Sequence, residues 1–239
     1  MDEYLDYEPS VEFRQSGYLM LAFSDHQWEQ FLANVALERS LDIDVKTLTP
    51  QEALKIVPFL NIDGMVGATF CQEDGHANPF HTTFAYARAA RRLGVEILTH
   101  TEVTGIEVEN DKIRAVVTDR GRIATSTVVN CAGAYSGHVA AMAGIDLPVW
   151  GERHQILITE PVEPIMGPMV ISFHHDFYCQ QVPHGSFIMG IGMPGEPKGY
   201  NMHSSVDFLE GMARSLCQLL PPVAQLRVVR QWAGLYDRS

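Results

Sequence analysis

Residues 126–142, STVVNCAGAYSGHVAAM, decide how the chain is read. Val128 and Val129 have the character of a buried strand, which runs through Asn130-Cys131-Ala132-Gly133 straight into a helix of small residues. Ala132, Gly133 and Ala134 leave helix-start N–H groups uncovered at the carboxyl end of a strand, the place where open α/β sheets hold anionic cofactors. Small side chains there let a bulky ligand approach the backbone. Taken alone, the same pattern also describes an ordinary β–α turn kept small for packing.

The sequence upstream gives the junction its context. Asn78-Pro79 reads as an N-cap and first helical residue. The helix that follows is expected to carry Phe80, Phe84, Ala87 and Ala90 inward, with Arg88, Arg91 and Arg92 favouring its C-terminal dipole and Gly94 closing it. Residues 95–98 read as a short strand. Ile106/Val108 and Ile113/Ala115/Val117 alternate on either side of Asn110-Asp111-Lys112, the pattern of a hairpin, and a second turn at residues 119–122 leads back to Ile123 and Val128. The order is helix, strand, β-meander, strand, helix.

Outside this stretch the chain reads as a sheet-rich module. Gly17-Tyr18-Leu19-Met20-Leu21 is β-rich, and residues 25–41 look helical with Trp28, Phe31, Leu32 and Val35 on one face. Thr49-Pro50-Gln51-Glu52 is a capping box with proline at the first helical position, opening a short helix that ends before Pro58. Strands are expected at 155–159, 169–173, 177–182, 187–191 and 226–235, with a helix over 205–219 stopped by Pro221-Pro222. The run Gly190-Ile191-Gly192-Met193-Pro194-Gly195 matches the G-x-G-x-x-G dinucleotide pattern letter for letter. That pattern works only where a helix starts within it, and Pro194, Pro197 and Gly199 leave no helix to start.

Composition excludes several classes. A net charge of −12 argues against nucleic acid or an anionic membrane as partner, since both need clustered Lys and Arg. The four cysteines, Cys71, Cys131, Cys179 and Cys217, show no C-x-x-C pairing and suit reduced thiols in a cytoplasmic protein. Residues 1–9 are acidic, unlike a signal peptide, and no apolar run approaches membrane-spanning length. A metal site is not expected. Adjacent His174 and His175 in a strand would point to opposite faces, and the spacing of His76 and His81 does not place both on one helical face.

The run DGHANPFHTTFAYARAARRLGVEILTHTEVTGIEVENDKIRAVVTDRGRIATSTVVNCAGAYS resembles the central part of the D-amino-acid oxidase superfamily of FAD-dependent oxidoreductases. Residues 152–161, ERHQILITEP, resemble the start of that family's substrate-domain sheet. Residues 230–237, RQWAGLYD, are most similar to the β subunit of sarcosine oxidase and to dimethylglycine and proline dehydrogenases. The resemblance implies an α/β (α+β) fold: a partial FAD-binding Rossmann-like domain with a β-meander, plus a mixed-sheet substrate-binding domain. On that pattern residues 1–72 and 150–229 are the substrate domain, 73–149 the partial FAD-binding domain, and 230–239 the return to it. No Gly-rich pyrophosphate loop precedes Gly133, so the chain is expected to be the middle of a longer protein, binding FAD in that parent and not tightly by itself.

The resemblance also implies a reaction: oxidation of the C–N bond of a small secondary or tertiary amino acid, of the sarcosine, dimethylglycine or proline type, by hydride transfer to flavin. The protein then needs a carboxylate anchor, a dry wall and orientation of the substrate. Alternation over 177–182 puts Tyr178 and Gln180 on one face and Phe177, Cys179 and Gln181 on the other. Tyr178, Gln180 and Tyr236 are the candidate catalytic residues; Val103, Cys131, Ala132, Gly133, Gly234 and Leu235 are the candidate cofactor contacts. Glycine oxidase and D-amino-acid oxidase carry a carboxylate-binding Arg where this chain has Tyr236, which favours the secondary- or tertiary-amine branch. The expected partners are a small amino-acid or amine substrate and, in the parent, other subunits of a hetero-oligomer. Three alternatives remain: a glycine or D-amino-acid oxidase, a flavin-free relative acting as a binding module, and a tRNA-modifying or glycerol-phosphate-oxidising relative. A basic surface or phosphate-gripping Arg cluster would mark the last, and neither is visible.

Overall fold

The computed structural model describes residues 10–239; the acidic stretch 1–9 lies outside the described residues. Its strands are β1 (Tyr18–Ala22), β2 (Val45–Leu48), β3 (Gly67–Cys71), β4 (Val103–Glu109), β5 (Lys112–Thr118), β6 (Gly121–Ala124), β7 (Trp150–Thr159), β8 (Met169–Ser172), β9 (Phe177–Gln181), β10 (Phe187–Ile191) and β11 (Val228–Arg238). The α-helices are α1 (Asp25–Ser40), α2 (Pro50–Ile56), α3 (Pro79–Arg92), α4 (Ser136–Ala141) and α5 (Val206–Leu219). The chain divides into two compact units. One comprises Met1–Ala89, Gln155–Pro194 and His203–Trp232, the other Ala90–His154, Gly195–Met202 and Ala233–Ser239. The sequence reading set the first boundary at 72/73; here most of α3 falls with the first unit, and residues 195–202 with the second.

The first unit is built on a mixed sheet of order β11-β7-β10-β9-β8-β1-β3-β2. β1 pairs in parallel with β8 and antiparallel with β3. Register sorts the side chains by face. Leu19 opposes Val170, Val170 opposes Cys179, Cys179 opposes Met189 and Met189 opposes Leu157. All of these are buried in the main core. Helix α5 covers that face with Phe208, Met212, Leu216 and Leu219, one stripe at helical spacing. Its N-cap Ser205 accepts from the Phe208 N–H, and the buried Gln155 carboxamide accepts from the Ser205 N–H at 2.7 Å. Helix α2 starts with the expected capping box, Thr49 and Glu52 each accepting from the other's backbone N–H.

Helix α3 differs from the expectation. Asn78 Oδ1 caps it by accepting from the Phe80 and His81 N–H groups. Phe80 and Phe84, however, are 73% and 59% exposed. The inward residue is Ala85, which packs with Val11 and Ala89. Two stripes of the helix were apolar enough to bury, and the alanine stripe admits the closer approach. On α1, Phe31 and Val35 are buried as expected, whereas Leu32 is exposed and Trp28 lies over Gly67.

The second unit contains the antiparallel meander β4-β5-β6. Asn110 and Asp111 both have positive φ, 51° and 58°, the turn geometry that matches strand twist in a two-residue hairpin loop. Residues 95–98 and the run through Val128 and Val129 were expected as strands. Neither forms a strand among the described residues, and Val129 is 80% exposed. Apolar character recommends a strand, but only a neighbouring strand's hydrogen bonds make one. After residue 130 comes a short 3-10 turn, Gly133–Tyr135, and then α4. Segment 195–202 is fixed within this unit by Arg153, which donates to both carboxylate oxygens of Glu196 at 2.8 and 2.9 Å, and by Tyr200 stacked on Tyr135 at 4.4 Å. No helix starts in the glycine-rich run: Gly190 and Ile191 end β10, and a turn follows at Pro194-Gly195.

Candidate functional site

In the second unit the meander and the junction segment enclose a cleft of about 360 Å³. Val103, Ile106 and Val116 line it from β4 and β5, Val128 to Ala132 from the junction, and Val139 from α4. Ile106 and Val116 are direct cross-strand partners, so the hairpin register places both on one face. Asn130 shapes the junction: its Oδ1 accepts from the Ala132 N–H at 3.2 Å, and its Nδ2 donates to the Ser136 carbonyl at 2.9 Å. Gly133 follows with φ +54°, and a Cβ placed there would meet nothing within 4 Å. The turn therefore borders open space.

Of the sequence-derived cofactor contacts, Val103, Cys131 and Ala132 share this cleft. Gly133 begins the adjoining turn, while Gly234 and Leu235 lie on β11 and do not line it. Ile106, Val116 and Val139 were missed. The alternation in the sequence grouped Ile113, Ala115 and Val117 and so turned Val116 the other way; only the observed register, with Ile106 opposite Val116, puts both on one face. The lining is mainly aliphatic, which suits a flat ring of FAD. Among the described residues no Arg or Lys lines the cleft, so the cofactor's phosphates would have to be held by other groups.

In the first unit, register extends the Tyr178 face across the sheet. Tyr178 opposes Ile171 and Gly190, Gln180 opposes Ile188, and Ile156 opposes Gly190. These side chains are the half-buried counterpart of the α5-covered core. Gly190 has a specific role, because a Cβ there would lie 2.7 Å from the Tyr178 ring and hydroxyl. The phenol thus lies across the neighbouring strand. Gln180 is 6% exposed, and its carboxamide makes no hydrogen bond among the described residues. Cys179, on the opposite face, is fully enclosed, and burial pushes its thiol far above the ordinary range. It is a packing residue.

Tyr236, near the end of β11 in the second unit, packs on His154 with ring centroids 4.6 Å apart. Arg238 lies near the same ring: its guanidinium is 5.6 Å from the Tyr236 centroid and donates to Glu152 Oε1 through Nε at 3.0 Å and Nη2 at 2.9 Å. Burial first, then the Arg238 charge, holds His154 below its usual pKa, with Glu152 opposing. Sequence alone did not reveal where Arg238 points. His154 was missed because nothing local links it to Tyr236.

His174 and His175 form a 3-10 turn with their rings T-shaped 4.7 Å apart. His175 has both nitrogens engaged, Nδ1 with Ser172 Oγ at 2.8 Å and Nε2 with Gln218 at 3.2 Å. That arrangement is structural.

Comparison with known proteins places the fold. The chain belongs to the FAD dependent oxidoreductase (DAO) family, whose model matches residues 1–239. It is similar to the sarcosine oxidase subunit beta of Rhodobacter capsulatus, 30% identical over 98% of this chain and 57% of that protein. It is also similar to the glycine oxidase of Bacillus subtilis, 29% identical over 94% of this chain and 58% of that protein. Among solved structures, L-proline dehydrogenase from P. horikoshii superposes with TM-score 0.91 at 34% identity, covering 100% of this chain and 63% of that one. The chain thus spans about three fifths of the length of each of these three relatives. Among the described residues, no helix is long and apolar enough to cross a membrane.

Proposed function

We propose that the protein carrying this chain is an FAD-dependent oxidoreductase that oxidises the C–N bond of a small secondary or tertiary amino acid of the sarcosine, dimethylglycine or proline type. The chemistry that FAD supplies, when bound, is acceptance of the hydride from the carbon beside the nitrogen. The chain's own residues bind and orient. Val103, Cys131, Ala132 and Gly133 hold an apolar part of the cofactor, and Gly234 and Leu235 let backbone approach it. Tyr178 offers a hydroxyl, and Gln180 an amide without a hydrogen-bond partner among the described residues, to the substrate's polar groups. Their aliphatic neighbours Ile156, Ile171 and Ile188 keep that face dry, which strengthens every polar contact made there.

The observation that carries the substrate class is Tyr236. It offers a neutral hydroxyl, and the nearest cation, Arg238, is bound to Glu152. A hydroxyl contributes roughly 1 kcal/mol to holding a carboxylate, against about 1.5–3 for a hydrogen bond to a charged group, so the carboxylate of any amino acid is anchored mainly elsewhere and the pocket around the nitrogen decides between primary and substituted amines. Similarity to a sarcosine oxidase subunit and a proline dehydrogenase supports the same reading. The relative's designation as a subunit supports membership of a hetero-oligomer, and four free thiols fit the cytoplasm. In the full-length protein, Tyr236→Arg should lower kcat/KM for sarcosine and raise it for glycine, with Tyr236→Phe as control. An arginine variant whose preference is unchanged would remove Tyr236 from the argument.

A further inference from the structure

In the first unit, His76 Nε2 is buried and has no hydrogen-bond partner among the described residues. Such orphans are rare in folded proteins and call for a water, an ion or a ligand. His76 lies on the wall of a cleft of about 180 Å³ that Arg14, Ser16, Met166 and Gln181 also line. Among the described residues no carboxylate lines it, although the chain as a whole is strongly acidic.

The wall is held firmly. Arg14 and His76 form an isolated antiparallel bridge, each N–H donating to the other's carbonyl at 2.8 and 3.0 Å. Gly75 makes the bridge possible, because a Cβ there would collide with the Arg14 carbonyl oxygen. Gln15 and Gln72 staple the two segments by donating to the Glu73 and Gln15 carbonyls, both at 3.0 Å. The Gln181 amide is already committed, accepting from the Ile165 and Met166 N–H groups at 2.8 and 3.0 Å and donating to the Glu163 and Gly185 carbonyls at 3.0 and 2.9 Å. It forms wall and offers no donor. Two donors remain. Arg14 has no carboxylate partner among the described residues. Ser16 Oγ lies 3.3 Å from His76 Nδ1, and a hydroxyl donating there leaves the ring proton on Nε2.

We propose that this cleft binds a small oxyanion, a carboxylate or phosphate group gripped by the Arg14 guanidinium and the His76 Nε2–H. The site is independent of the flavin chemistry proposed above. Burial first, then the Arg14 charge, holds His76 below its ordinary pKa, so the ring in the empty cleft is neutral. An anion beside both groups favours the imidazolium, and binding and protonation are then coupled reciprocally.

The test uses the full chain labelled with 15N-histidine, with the His76 ring signals assigned through His76→Gln. Inorganic phosphate and acetate are titrated separately, with chloride at matched ionic strength as control. The expected result is a saturable shift of the His76 ring nitrogens, a rise of its pKa by roughly half a unit or more, and binding weakened about tenfold or more in Arg14→Met. A response to phosphate alone assigns phosphate-bearing ligands, and a response to acetate alone assigns carboxylates. Should Arg14→Met not fold, the wild-type titration decides. A linear shift no larger than with chloride would mean that a water satisfies Nε2, and the proposal would fall.

Discussion

Gly133 shows what a single position contributes. Its φ of +54° suits glycine, and nothing surrounds the place a Cβ would occupy, so Gly133→Val is disfavoured by backbone conformation and not by collision. The variant should lose about 1–2 kcal/mol of stability and, in the full-length protein, flavin content as well, read from denaturant melts and absorbance after desalting. Full flavin occupancy would contradict the placement of this turn. The cysteines separate by environment. Cys131 is exposed on the cleft and Cys217 is exposed elsewhere, whereas Cys71 and Cys179 are buried. Native-state alkylation followed by mass spectrometry should modify the first pair and spare the second, and bound FAD in the full-length protein should protect Cys131. Labelling of Cys179 before unfolding would show that the core is open. Ala132 and Gly133 stood out in the sequence because small residues ahead of a helix have a local meaning. His154 and the Glu152–Arg238 pair were not, since tertiary contact alone brings them to Tyr236.

The elements were most legible where pattern and turn chemistry agreed. The β4–β5 hairpin followed from alternation around Asn110-Asp111, and α2 from its capping box. Where sequence offered two equivalent answers, packing chose. Phe80 and Phe84 looked like the inward stripe of α3, but Ala85, packed with Val11 and Ala89, occupies it. Phe84→Ala should therefore change stability by less than about 0.5 kcal/mol, while Phe208→Ala, which empties the α5 stripe, should cost about 3–5. Chemical denaturation of both variants measures the contrast, and equal losses would refute this assignment of faces. Residues 95–98 and the run at Val128 and Val129 were misread for another reason: strand identity depends on a partner, which a one-strand pattern cannot report.

At the scale of the molecule, pH stability follows from three histidines. His76, His154 and His175 are each held below the ordinary 6.5, burial being the largest cause in every case. The unfolded chain then binds protons that the folded chain refuses, so stability is present above 6.5 and is lost as pH falls through and below it. Glu52, Glu107 and Glu160 are held below 4.5 mainly by hydrogen bonds, from the Thr49 backbone, Arg122 and Arg227 in turn, and their contribution is lost only in more acid solution. Tm should fall between about pH 7.5 and pH 5.5, and His154→Phe, which keeps a ring against Tyr236, should flatten part of that slope. A flat profile would contradict the burial of these rings.

The central claim is the reaction. Steady-state kinetics of the full-length, flavin-loaded protein with sarcosine, dimethylglycine, L-proline, glycine and D-alanine test it most directly. The account predicts that at least one of the first three is oxidised with a higher kcat/KM than both primary amino acids, and a higher kcat/KM for glycine or D-alanine than for all three would contradict it.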